Sequence, residues 1–222
     1  MTAARAVRTE RANGTREAIL TAAEKLFAEH GVYAVSNRQV SEAAGQGNNA
    51  AVGYHFGTKT DLVREIEHRH RTPIERLREQ MVAEAGDSAE LRDWVDCLVR
   101  PLTDYLTELG NPTWYARFAA QAMADPAYHK IVVKGALSSP SLVQVIDRIN
   151  HCIPDLPEEV RTERNVMASN LLMHTCAEWE RAMAENTSWP RSSWQTAAVG
   201  LVDAIVGLWL APFTPIAESA RR

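Results

Sequence analysis

From Thr15 onward the apolar residues of this chain recur every three or four positions, and no run of four or more residues alternates cleanly between apolar and polar. That period belongs to helices, whereas a half-buried strand needs a period of two, so the expected fold class is all-α. Ile19, Ala22, Ala23, Leu26 and Phe27 form one stripe that stops at His30-Gly31, which predicts a first helix over about 15–30. Ser36-Asn37-Arg38-Gln39 has the capping-box pattern, in which the Ser36 hydroxyl and the Gln39 amide satisfy amide groups at the start of a helix ending at Gly45. Gln46-Gly47-Asn48-Asn49 reads as a tight turn and Ala50 to Phe56 as a short helix closed by Gly57. Thr58-Lys59-Thr60-Asp61 then opens a longer helix with a second capping box. Two short helices joined by a Gly-containing turn and preceded by a third are the helix-turn-helix arrangement, with the recognition helix at 49–56.

Pro73 interrupts the pattern of a helix that runs to about Ala85. Gly86-Asp87-Ser88, Gly110-Asn111-Pro112, Asp125-Pro126, Ser138-Ser139-Pro140, Pro154 to Pro157 and Trp189-Pro190 separate further helices at about 89–109, 113–124, 126–137, 140–152, 158–186 and 191–211. The expected division is a basic flexible arm at 1–14, a helix-turn-helix domain at 15–66, a larger helical domain at 67–212 and a tail at 213–222. With 222 residues, 45% of them hydrophobic and 23% charged, such a chain can bury a core.

Charge is uneven along the chain. Residues 1–71 hold ten Lys and Arg against eight Asp and Glu, the remainder fourteen against twenty, and Arg5, Arg8, Arg11 and Arg16 crowd the first sixteen positions against Glu10 alone. A basic arm of this kind reaches toward nucleic acid or simply solubilises the chain. It has no apolar core, so it is not read as a signal peptide, and three Cys are too few for a disulfide framework. A cytoplasmic location is expected. Ala197 to Phe213 is almost wholly apolar but short for a membrane span and interrupted by Asp203, so it is read as a buried helix.

Gly45-Gln46-Gly47-Asn48-Asn49-Ala50 matches the dinucleotide fingerprint G-x-G-x-x-A in letters only, because it follows a helix rather than a strand. His68 and His70 point about 200° apart on a helix, and Cys97, Cys152 and Cys176 have no paired spacing, so no metal is expected. His174 and Glu178 share a helix face as a structural pair or as a polar contact to a ligand. No nucleophile elbow, zinc-protease or phosphate-loop motif occurs, and neither a catalytic residue nor a cofactor is assigned.

Read together, Val35-Ser36-Asn37-Arg38-Gln39-Val40-Ser41-Glu42-Ala43-Ala44-Gly45, then Ala51-Val52-Gly53-Tyr54-His55-Phe56-Gly57-Thr58-Lys59 and Leu62, resemble the DNA-binding region of TetR-type transcriptional regulators. The resemblance covers residues 14–66. Two departures stand out: Gly45 to His55 is one residue longer than the family's commonest pattern, and Gly53 stands where many members carry a phosphate-contacting Tyr. Asn48 and Asn49 lie where side chains first meet base edges, and Asn can bond adenine bidentately, although whichever comes first can equally be the helix N-cap. Ala50, Ala51 and Gly53 are small enough for close approach to the groove. Ser36, Arg38, Gln39 and Lys59 sit at helix starts suited to phosphate contacts, and Tyr54 can add its hydroxyl. His55 and Phe56 read as core.

In the larger domain Trp94, Leu98, Leu102, Tyr105, Leu106, Trp114, Tyr115, Phe118 and Met123 fall on adjacent helices. They either line a cavity for a small apolar effector, with His174 as polar orienter, or are simply core. In the last helix Ala197, Leu201, Ala204, Ile205 and Leu208, with Gly200 and Gly207, suit a subunit interface. The resemblance implies a ligand-responsive, homodimeric repressor, not an enzyme, that binds double-stranded DNA at a near-palindromic operator and leaves it on binding effector. The competing reading is a helical enzyme or carrier that retains a helix-turn-helix-like N-terminus.

Overall fold

The computed structural model describes residues 2–48, 50–153, 155–187 and 193–215. Among them are ten helices and no strand: α1 (Thr2–His30), α2 (Asn37–Ala43), α3 (Ala51–Phe56), α4 (Lys59–Ala85), α5 (Leu91–Leu109), α6 (Tyr115–Ala124), α7 (His129–Leu137), α8 (Pro140–Cys152), α9 (Glu158–Ala184) and α10 (Trp194–Leu210). Helix α1 starts at Thr2, not near Thr15, so the stretch expected to be a flexible arm is helical backbone. Four alanines between positions 3 and 12 favour that state, and Gly14 costs only about 1 kcal/mol relative to Ala. Helix α7 starts at His129 rather than near 126, because Asp125 Oδ1 accepts the Ala127 N–H (2.8 Å) and the Asp125 carbonyl accepts the Tyr128 N–H (3.0 Å), closing a turn there.

Helix ends are fixed partly by neighbours in sequence and partly by distant residues. Thr58 and Ser193 head capping boxes for α4 and α10, and Ser139 caps α8 with Pro140 in its first turn. The first turn of α6 has no local cap. Buried Glu180 of α9 instead accepts the Ala116 and Arg117 N–H groups (3.1 and 2.9 Å) and pairs with the Arg117 guanidinium at 3.0 Å. At the far end of α10, buried Arg164 donates to the carbonyls of Trp209 and Ala211, both at 2.6 Å.

Ile19, Ala23 and Phe27 of α1, Val40 of α2, Val52 and Phe56 of α3, and Leu62, Val63 and Ile66 of α4 close the core of the N-terminal head. The head is not a separate core. Helix α4 runs straight across the expected boundary at 66, and Phe27 stacks on Phe118 of α6 with ring centroids 6.3 Å apart. Helix α5 lies at the centre of the larger part, packed on α4, α8 and α10, while α6 packs on α1 and α9. No helix among the described residues is long and apolar enough to cross a membrane.

Candidate nucleic-acid interface

The α2 start is built as its sequence predicts. Ser36 Oγ accepts the Gln39 N–H (3.3 Å) and donates to Gln39 Oε1 (2.8 Å), which also accepts the Ser36 N–H (2.8 Å). The Gln39 NH2 group takes no part in these bonds. Arg38 is exposed, 3.7 Å from Glu42 one turn on. Gly45 adopts a φ of +68°, the left-handed conformation that lets the chain turn out of α2, and Gln46 Nε2 donates to the Ala44 carbonyl at 3.0 Å. Asn48 Oδ1 accepts the Ala50 N–H at 2.9 Å, closing a local turn ahead of α3. Asn49 lies outside the described residues.

Helix α3 turns Ala51, Val52 and Phe56 inward and leaves Ala50, Gly53 and Tyr54 outward, with Tyr54 82% exposed. A Cβ added at Gly53 would meet nothing within 4 Å, so the backbone itself is accessible there. Arg16 of α1 holds the inner side of this helix: its guanidinium lies 4.3 Å over the Phe56 ring, donates to the His55 carbonyl at 2.8 Å and pairs with Glu65. Buried Phe56 and half-buried His55 occupy the core and its margin.

Lys59 has a different task from the phosphate contact expected of it. Its ammonium donates to the carbonyls of Val32 (3.1 Å) and Val35 (2.5 Å), tying the start of α4 to the α1–α2 turn, and partial burial lowers its pKa. Between those anchored carbonyls Tyr33 stands 89% exposed, a residue absent from the sequence-based contact set. An aromatic side chain flanked by two buried valines with nothing left to cover was the available signal.

The residues expected to line an effector cavity do not form one lining. Tyr105, Tyr115 and Phe118 join Phe27, Glu24 and His70 in a packed cluster: His70 stacks on Tyr115 at 4.1 Å, its Nδ1 lies 2.9 Å from the Tyr105 hydroxyl and its Nε2 2.8 Å from Glu24 Oε2. Arg69 donates to the same Glu24 oxygen at 3.0 Å. Trp94 is buried elsewhere, donating to the Ser88 carbonyl at 2.9 Å beneath the Arg148 guanidinium. Leu98 and Met123 are half-buried, Trp114 lies under the Lys25 ammonium (5.7 Å), and His174 is exposed on α9. Phe118 is fully buried against α1, so truncating it to Ala costs about 3–5 kcal/mol and disturbs the head as well.

The expected interface set on α10 is likewise divided. Ala197, Leu201 and Ile205 are buried in the chain's own core, where α10 packs on α5, because the stripe that looked free in sequence is the one α5 covers. Ala204 is exposed and half-buried Leu208 packs against that core, and the exposed apolar side chains here are Val199 and Leu210, with Val166 and Met167 on α9. Among the described residues no group of three or more His, Cys, Asp or Glu is placed to hold a metal, and burial raises the Cys97 thiol to about 11.

Comparisons with known proteins follow the same division. Residues 19–66 match the family model of bacterial regulatory proteins, tetR family, and residues 96–207 match that of the tetracyclin repressor-like C-terminal domain. No curated protein matches the chain. Two crystal structures of NalD, the secondary repressor of the MexAB-OprM multidrug efflux pump in Pseudomonas aeruginosa, are similar in fold. One is 23% identical with a TM-score of 0.57, covering 91% of this chain and 100% of that one. The other is 24% identical with a TM-score of 0.55, covering 92% and 100%. PfmR, a TetR family transcriptional regulator from Thermus thermophilus, is 18% identical with a TM-score of 0.54, covering 84% and 96%.

Proposed function

We propose, for a chain that belongs to the TetR family of bacterial regulatory proteins and is a DNA-binding transcriptional regulator, that it works as a homodimeric repressor released from its operator by a small molecule. The observation that carries the reading is the outward face of α3, where Ala50, Gly53 and Tyr54 leave a low surface beside a side chain that can reach a phosphate. Arg38, the Gln39 NH2 group and Tyr33 flank it as further phosphate contacts. Base reading falls to the Asn48-Asn49 turn and the Ala50 methyl.

Release needs an element shared by the head and the larger part, and a ligand that binds one of its positions better than the other. Helix α4 is that element, bolted to α1 by Glu24, His70 and Arg69 and continuing to Ala85. The ligand binds and leaves chemically unaltered. A second copy docks through the exposed apolar side of α9 and α10, which sets two reading heads on one near-palindromic site. A gel shift with DNA from upstream of the chain's own coding sequence tests this reading. A specific complex is expected with wild type, with altered discrimination at one base position in Asn49→Ala, by roughly 1–3 kcal/mol. Identical binding to scrambled DNA would remove the operator-reading role.

A further inference from the structure

Between the second half of α4 and α8 lies an open cleft of about 530 Å³, with Val82 and Gly86 on one wall and Pro140, Ser141, Gln144 and Arg148 on the other. That size suits a small organic ligand. The seam continues inward from it. Glu75, Arg78 and Val82 recur along α4 at the spacing of one face, so Arg78 lies about 6 Å further along the helix than Val82 of the cleft wall, and it reaches Ser139, the residue before Pro140 of the opposite wall.

Arg78 is only 8% exposed. Both of its hydrogen bonds leave from Nη1, to Glu75 Oε2 (3.2 Å) and Ser139 Oγ (3.3 Å), while Nε has no partner among the described residues. Glu75 is already shared, accepting also from Ser139 Oγ and from the Ser141 N–H at 3.0 Å. A guanidinium N–H left unpaired in a protein interior is rare, and the edge left out here, Nε with Nη2, is the one whose parallel donors fork onto a carboxylate. The cleft walls supply apolar surface from Val82, Ala83 and Pro140. Two acids also line the cleft: Asp87, which pairs with Arg148 at 2.8 Å, and Glu79, exposed on α4.

We propose that the α4–α8 seam is a binding site for an organic acid with an apolar body, which enters by the cleft and places its carboxylate on the free edge of Arg78. This assignment rests on the ligand-responsive reading above and names the class of effector. A ligand seated there lies against α4, the helix that carries the reading head.

The test uses the full chain and three probes with the same tail, each below its micelle concentration: decanoate, decanol and decyltrimethylammonium. Isothermal titration calorimetry is expected to give decanoate at least about tenfold tighter binding than decanol, and no binding of the ammonium compound. Arg78→Lys keeps the charge but lacks the fork, and is expected to erase the preference for decanoate. Gln144→Trp, an exposed change that fills the cleft, is expected to weaken decanoate binding, which keeps the test open should the Arg78 variant lose its fold by circular dichroism. Equal binding of acid and alcohol, binding of none, or preference for the ammonium compound would overturn the proposal, the last pointing instead to the Glu79 carboxylate of the cleft wall. Operator release is read separately. Decanoate that binds through Arg78 without releasing DNA leaves the site standing and removes its role as effector site, whereas release by another probe without decanoate binding overturns the site alone.

Discussion

Lys59 and Asn48 illustrate how a residue's role depends on what its polar atoms already hold. Two of the three Lys59 donors grip carbonyls of the α1–α2 turn, so Lys59→Met is expected to cost roughly 1–3 kcal/mol in urea unfolding, the range for hydrogen bonds from a charged group. A melting curve identical to wild type would return Lys59 to the phosphate role. Glu67 is buried, and desolvation pushes its carboxyl above the ordinary carboxylate range despite Arg71 and His68 nearby. The folded chain therefore holds this proton to higher pH than the unfolded one. The contribution is fully present below about pH 4.3, and stability falls as pH rises from there through the raised folded value. Glu67→Gln is expected to be more stable than wild type at pH 7, with the gain shrinking toward pH 4. A gain that does not vary with pH would refute this assignment. Neither role could be taken from sequence, because the carbonyls that hold Lys59 and the packing that buries Glu67 come from other elements.

Helices were legible where their determinants are local. Ser36-x-x-Gln39 and Thr58-x-x-Asp61 form the boxes their letters predict, and Gly45 and Gly57 end the two short helices with positive φ. Starts that depend on distant partners were not legible, as at α6, where Glu180 stands 64 residues from the Ala116 amide it caps. The bolt between α1 and α4 is of the same kind. Glu24 is 3% exposed and holds both His70 and Arg69, so Glu24→Ala leaves a buried imidazole and a guanidinium without their acceptor and is expected to cost about 3–5 kcal/mol. Hydrogen exchange should then show α1 opening before α5. Uniform exchange in the variant would mean that the head is held by its apolar contacts alone.

At the scale of the molecule, the all-α class followed from periodicity, but which apolar stripe faces the core and which faces a partner did not. A helix as apolar as α10 carries buried and exposed apolar residues alike, and only its packing on α5 separates Leu201 and Ile205 from Val199 and Leu210. Leu201→Glu is therefore expected to unfold the chain, whereas Val199→Glu should yield a folded monomer by analytical ultracentrifugation. A folded dimer in Val199→Glu would place the interface on another face. The residues expected to line one cavity are divided for a related reason: aromatic spacing cannot distinguish a cavity wall from a core, and here Tyr105 and Tyr115 pack on one another and on His70. In the proposed dimer the α2–α3 head reads one DNA site. The most direct measurement of that reading is fluorescence anisotropy of the chain on its own upstream DNA and on a scrambled duplex across a salt series. The affinity for the upstream site is expected to be at least about a thousandfold above that for the scrambled duplex at physiological salt, with log affinity falling linearly against log salt on both. Equal affinity for the two duplexes at every salt concentration would contradict it.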